Sequence, residues 1–208
     1  SADPALRCHA GAAGADLEHL AHFGGRIGTA EMRDQARAAQ RHKPELRTHD
    51  SGGRRIDEVQ FHPAYHELMQ AGIGGGIAAL PWEGARGGHA THAGMLYQMT
   101  QVEQGVCCPM TMTYAAVPAL KSNPQLLQDW VPKLTSRRYD GSARPLARKA
   151  GATLGMAMTE KQGGSDLRGT ATRAEAADGH YRLTGHKWFC AAPMSDGFLT
   201  LAQAEGGL

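Results

Sequence analysis

Ala157-Met158-Thr159-Glu160-Lys161-Gln162-Gly163-Gly164-Ser165-Asp166-Leu167-Arg168-Gly169 is the stretch that decides how this chain is read. It leaves an apolar, β-rich run that starts at Thr153 and enters a loop with two adjacent glycines. Thr159 offers a hydroxyl. Gly163, Gly164 and Ser165 offer backbone N–H groups, and a glycine has no Cβ to keep an anion away. Six steps separate Thr159 from Ser165, a reach of at most about 20 Å, so a curved loop can serve two groups on the order of 10 Å apart. On residue chemistry alone the loop is either a phosphate cradle or a ligand-free turn between strands.

Outward from that loop the two directions differ in texture. Downstream, 170–176, 180–184, 186–191 and 198–203 are short and strand-like, and with 153–159 they make five expected strands. Asp178-Gly179 lies between two of them, the pattern of a tight hairpin. An antiparallel sheet or barrel is expected over 151–208. Upstream, 1–150 reads as helical. Leu17, Leu20 and Ala21 share one face of a helix over 15–23. Thr29 caps a helix over 30–42, and Pro44 ends it. His62-Pro63 starts one over 64–71, a long helix is expected over 85–106, and Asn123-Pro124 starts one reaching Trp130. Between the two parts, 133–149 holds six basic residues against Asp140, and a solvated linker is expected there.

Composition narrows the function classes. The chain has 208 residues, 22 Lys+Arg and 20 Asp+Glu, so a net charge of +2 argues against nucleic-acid binding by bulk electrostatics. Its 27 glycines and 10 prolines show no period, which excludes collagen and implies many tight turns. The longest apolar run, 106–120, is broken by Pro109 and Pro118 and is too short for a membrane span. Cys8, Cys107, Cys108 and Cys190 have no paired spacing, so a reducing, cytoplasmic compartment is expected. Without an initiator Met, and with a strand-like run close to Leu208, the chain reads as a piece of something longer. Gly74-Gly75-Gly76-Ile77-Ala78-Ala79 fits a dinucleotide fingerprint only formally, because a helix and not a strand precedes it. His62/His66 and His89/His92 have helical spacing but no local acid or thiol to complete a metal set, so surface or capping roles are expected.

The thirteen residues 157–169 match, at every constrained position, the flavin-loop signature of the acyl-CoA dehydrogenase family. Further segments resemble its DNA-alkylation-response branch: Phe61-His62-Pro63-Ala64-Tyr65-His66, Pro109-Met110-Thr111-Met112-Thr113-Tyr114-Ala115-Ala116, and Tyr181-Arg182-Leu183-Thr184-Gly185-His186-Lys187-Trp188-Phe189. The resemblance implies an α+β multidomain fold, with an N-terminal α-helical domain over 1–150 and the start of an antiparallel β-barrel over 151–208. The chain would then be truncated before a C-terminal helical bundle. It implies FAD as cofactor and an acyl-CoA thioester as substrate. A homotetramer and an electron-transfer flavoprotein partner are family expectations, and DNA would be met only through an absent C-terminal region.

Residue by residue, Met156, Met158 and Thr159 match positions that line the flavin ring, and Gly164 and Ser165 match the pyrophosphate contacts. Phe189 matches an aromatic that stacks on the ring, followed by Cys190. Ala191 stands where the family usually has a Ser or Thr that bonds flavin N5, which is a departure. No catalytic residue and no metal ligand is assigned within the chain. The base is expected beyond Leu208, and Glu160 is the nearest acid inside it. Two rival readings are a DNA-protective flavoprotein with vestigial dehydrogenase activity and an interaction module without flavin.

Overall fold

A computed structural model describes residues 3–207. Seven helices and six strands succeed one another in chain order among these residues. They are α1 (Pro4–Ala12), α2 (Leu17–Ile27), α3 (Ala30–Arg41), β1 (Glu45–His49), β2 (Arg55–Gln60), α4 (Pro63–Gly75), α5 (Gly88–Thr100), α6 (Cys107–Leu120), α7 (Pro124–Leu134), β3 (Leu154–Ala157), β4 (Arg173–Ala177), β5 (His180–Thr184) and β6 (Gly197–Thr200).

Local chemistry sets most helix starts. Thr29 Oγ1 accepts from Met32 N at 3.2 Å, His62 Nδ1 from Ala64 N at 3.1 Å, and Asn123 Oδ1 from Gln125 N and Leu126 N. Each satisfies a first-turn N–H that has no partner inside the helix. The same logic applies at Asp3-Pro4, where the Asp3 carboxylate caps α1, a helix outside those expected from the sequence. The expected helix over 85–106 is shorter, because α5 stops at Thr100 and a turn leads into α6. α6 is not among the helices expected from the sequence; Pro109 falls in its first turn, where its missing N–H costs nothing, and Pro118 lies inside it at the loss of one helical hydrogen bond. The 1–150 region is also not wholly helical: β1 and β2 form an exposed antiparallel hairpin around Ser51-Gly52-Gly53.

The helical core gathers Leu20, Phe23, Leu68, Met69, Ile77, Met95, Met99 and Met110, all within a few per cent of full burial. Each such side chain contributes about 1.5–3 kcal/mol. Glycines let the helices close on one another: a Cβ on Gly94 would come within 2.8 Å of Leu20, and one on Gly75 within 2.5 Å of Phe23. Gly76, at φ 97°, ends α4 in the left-handed conformation. The Gly74-Gly75-Gly76 run is thus the end of a helix.

A second cluster joins helices to strands. Ala116, Leu120 and Leu134 pack with Ala152 and Leu154, flanked by Trp130, Val131 and Leu199. The buried Thr113 hydroxyl donates to Pro109 O at 2.8 Å and accepts from Leu154 N at 3.1 Å, pinning β3 to α6. β4 and β5 form the expected hairpin, with Gly179 at φ 77° in its turn. β3, however, pairs with β6 in parallel, Leu154 opposite Gly197. Antiparallel pairing is therefore only part of this β segment. The expected strand over 186–191 is irregular, because Phe189 has φ 58° and leaves the extended region.

The 133–149 stretch, expected as a solvated linker, is solvated only in part: Arg138, Arg144 and Arg148 are exposed, but its end is built into the fold. Lys149 has a side chain only 3% exposed and pairs with Asp196 at 2.6 Å. Asp196 Oδ2 also accepts from Thr153 N at 2.9 Å, and Lys133 Nζ donates to Lys149 O at 2.6 Å. Arg137 forks onto Glu83. Among the described residues no helix is long and apolar enough to cross a membrane.

Removing one member of a buried pair strands the other charge. Lys149→Met is therefore expected to cost about 3–5 kcal/mol, read as a lower midpoint in urea unfolding. A change under about 1 kcal/mol would mean that Asp196 finds water or another donor.

Candidate functional site

β3 delivers Ala157 to the flavin-type loop, and the carboxylate of Glu160 organises the loop around itself. Its side chain is 4% exposed. Oε1 accepts from Lys187 Nζ at 2.8 Å, from Thr172 N at 3.0 Å and from Thr172 Oγ1. Oε2 accepts from Ala171 N at 2.7 Å and from the Gln162 amide. Five donors on one buried carboxylate, led by the Lys187 ammonium and the Thr172 hydroxyl, hold its pKa far below the ordinary 4.5. Glu160 is consequently an ionised structural anchor with no lone pair left for proton abstraction. As the nearest acid it does not qualify as a base.

The Glu160 backbone closes the turn: its N–H donates to Gly163 O at 3.0 Å, and Gly163 N–H donates back at 3.1 Å. Of the three amides expected to face a ligand, that of Gly163 is therefore committed. Those of Gly164 and Ser165 have no partner among the described residues. Gly164 sits directly beneath Thr159, where an added Cβ would come within 2.7 Å of Thr159 Oγ1. The hydroxyl and the two free amides are thus brought together. Ser165 is exposed, while Met156, Met158 and Thr159 are half-buried.

The segment 187–191 is laced to the same loop. Trp188 N donates to Thr159 O at 2.7 Å, and Lys187 Nζ reaches Met158 O at 3.4 Å. Trp188 meets Phe189 edge-on at 5.7 Å, and Lys161 lies over the Trp188 ring at 5.3 Å. Phe189 is 81% exposed, and Cys190 and Ala191 are exposed beside it. The residues suit a flavin dinucleotide on three grounds of their own: a Cβ-free position under a hydroxyl, two adjacent unpaired amides, and an exposed aromatic ring one residue beyond the Trp188 that bonds Thr159 O. Sequence reasoning missed the anchors, Lys187 and Thr172. No signal near Glu160 in the sequence points to them, because both anchors come from beyond the loop.

The histidines divide differently from expectation. His62 caps α4, His66 Nδ1 pairs with the Tyr139 hydroxyl at 2.9 Å, and His89 Nδ1 with the Tyr114 hydroxyl at 2.7 Å. His92 is neither surface nor cap: it is buried, bonds Ile77 O at 2.6 Å, and stacks on Tyr114.

A helical bundle followed by β-strands that carry a flavin-type loop defines the class, an acyl-CoA dehydrogenase-like chain. Residues 1–141 match the profile of the adaptive response protein AidB N-terminal domain, and 155–208 that of the acyl-CoA dehydrogenase middle domain. The chain belongs to the AidB group of the acyl-CoA dehydrogenase family. It is 48% identical over 200 residues to AidB of Escherichia coli (strain K12), covering 94% of this chain and 37% of that protein. It is 34% identical over 194 residues to acyl-CoA dehydrogenase family member 11 of Caenorhabditis elegans, covering 88% and 30%. Among solved structures, C. elegans ACDH-11 in complex with C11-CoA superposes with a TM-score of 0.80 at 28% identity, over 98% of this chain and 35% of that one. The apo form of Bd2924 does so with a TM-score of 0.78 at 27% identity, over 99% and 40%. The chain thus spans about a third of the length of the curated relatives it matches.

The depressed Glu160 pKa fixes a pH dependence. Stability from the ionised carboxylate is fully present above the ordinary value of 4.5 and is lost as pH falls toward the folded-state value. Glu160→Gln should therefore lower the melting temperature at pH 7, with the gap to wild type closing as pH falls below about 4. A gap that stays constant down to about pH 3 would show that the charge of Glu160 contributes nothing.

Proposed function

We propose that this chain is the N-terminal portion of an FAD-dependent oxidoreductase of the acyl-CoA dehydrogenase type, which introduces an α,β double bond into an acyl-CoA thioester. In this reading 1–150 is a helical domain and 151–208 the first part of a β-barrel domain. The observation that carries it is the Thr159 hydroxyl set over Gly164, with the free amides of Gly164 and Ser165 beside it and the exposed Phe189 on the segment that Glu160 anchors through Lys187.

FAD would supply a hydride acceptor at the acyl β-carbon while a base outside this chain takes the α-proton. The residues here do the holding. Gly164 and Ser165 would hold the pyrophosphate with their amides and the Ser165 hydroxyl. Thr159 would donate to the ring system, with Met156 and Met158 lining it and Phe189 and Cys190 offering an aromatic face and a thiol to it. Ala191 has no hydroxyl to offer there, so a backbone N–H or water would have to serve. Positioning of this kind matters because the two bonds to hydrogen must break in aligned, water-poor surroundings. The substrate class is supported by the relative solved with C11-CoA. Four unpaired cysteines support a cytoplasmic location. A homotetramer that passes electrons to an electron-transfer flavoprotein completes the proposal.

A second reading, a DNA-protective flavoprotein, is favoured by the exposed Arg138, Arg144 and Arg148 and by the adaptive-response profile. DNA retention that falls steeply with salt in the full-length protein, without acyl-CoA turnover, would select it.

Ser165→Ala in the full-length protein removes one charged hydrogen bond, about 1.5–3 kcal/mol, and should weaken FAD roughly ten- to a hundredfold in a flavin titration. Unchanged affinity would remove Ser165 from the site. Ala191→Ser should speed reduction of the bound flavin by acyl-CoA in rapid-mixing experiments. No gain would mean that the missing hydroxyl does not limit the reaction.

A further inference from the structure

A cleft of about 220 Å³ opens where β2 and the first turns of α4 meet the 139–141 turn and the segment 192–195. Its walls are partly apolar: Phe61 stacks on Tyr65 at 4.0 Å, with Met69, Pro109 and Ala192 nearby. Its polar groups are of an unusual kind for such a place. Ser195 Oγ is buried and has no hydrogen-bond partner among the described residues. The Tyr139 hydroxyl is coupled to His66 Nδ1 at 2.9 Å. Burial pushes the Tyr65 phenol up to about 12, so it remains a donor across the physiological range.

The charges in the cleft indicate what it rejects. Lys149 is neutralised by Asp196 at 2.6 Å. Asp140 is occupied by the Ser142 hydroxyl and Ala150 N, and the Ser142 bond above all holds its pKa down at about 2. Glu58 adds a second acid to the lining. With no uncommitted cation in that lining and two acids, a carboxylate or phosphate would be repelled. A neutral group that both donates and accepts, on an apolar stem, matches what is present. An unpaired buried hydroxyl is unfavourable, and a ligand hydroxyl would relieve it.

The cleft also adjoins the flavin-loop face along the chain. Ala191, the position opposite the reacting flavin atom in the family pattern, is four residues from Ser195, so the two are at most about 14 Å apart, within the span of a medium-length acyl tail. We propose that this cleft receives the distal end of the acyl chain and selects a tail bearing a hydroxyl over a plain alkyl tail, with Ser195 and the Tyr139–His66 pair as the discriminating groups. This rests on the acyl-CoA reading above and names the substrate class within it. A site built to hydrogen-bond a substrate hydroxyl rejects the analogue that lacks it, since its own polar groups are then left unpaired.

The test is calorimetric binding to the FAD-loaded full-length protein, with decanoyl-CoA and ω-hydroxydecanoyl-CoA as probes. The hydroxylated tail should bind roughly three- to tenfold tighter, the equivalent of one neutral hydrogen bond. Ser195→Ala keeps the backbone bond from Ser195 N to Ala192 O, and should erase that preference while tightening decanoyl-CoA. Tyr139→Phe, which frees His66, should narrow the preference independently of whether the Ser195 variant folds. Equal affinity of the two probes for the wild type overturns the selection and leaves the acyl-CoA reading standing. Binding of neither probe overturns that reading and the selection with it.

Discussion

One buried carboxylate organises the β part of this protein. A charge enclosed to 4% exposure is tolerable only when it is paired and its remaining lone pairs are satisfied, and Glu160 meets both conditions. Its partners come from three separate stretches of chain: Gln162 in its own loop, Ala171 and Thr172 ahead of β4, and Lys187 after β5. Meeting that single charge therefore closes the Gly163 turn, seats Thr159 over Gly164, and draws Trp188 N onto Thr159 O. The exposed ring of Phe189 is held at the end of that arrangement, on a backbone with φ 58° that the flanking bonds sustain.

A second buried pair plays a comparable part at the seam between helices and strands. Lys149 and Asp196 stand 47 residues apart in sequence, and Asp196 also anchors Thr153 at the entry to β3. With Thr113 bonding Leu154 from inside α6, the strands are attached to the helical core by polar contacts as well as by the Leu120, Leu134 and Leu154 packing. The cleft lined by Tyr65, His66 and Ser195 lies beside this seam, with His66 held by the Tyr139 hydroxyl at 2.9 Å and Asp196, next to Ser195, held by Lys149.

Much of the architecture was legible in the residues themselves. The caps at Thr29, His62 and Asn123, the hairpin at Asp178-Gly179 and the division into helix-rich and strand-rich parts all depend on interactions within a few residues, which sequence displays directly. The flavin-type loop was legible for a related reason: glycines and hydroxyls at close spacing state what the backbone can present. What stayed hidden was whatever depends on pairing across distance. Arg138, Arg144 and Arg148 are solvated as the basic 133–149 stretch suggests, but nothing near Lys149 in sequence shows that Asp196 will bury and neutralise it.

By itself, then, the sequence determined the division into a helix-rich and a strand-rich part, the caps at Thr29, His62 and Asn123, the Asp178-Gly179 turn and the family pattern of the loop, since these rest on local chemistry. Tertiary structure alone decided that β3 runs parallel to β6, that Gly163 commits its amide to the turn, and that Glu160 is an anchor and not a base. It also decided that Ser195 faces a cleft without a partner among the described residues. The physical reason is the same in each case. Strand register, burial and the occupancy of a lone pair are set by groups tens of residues away, and a charge or hydroxyl acquires its role only when those groups arrive.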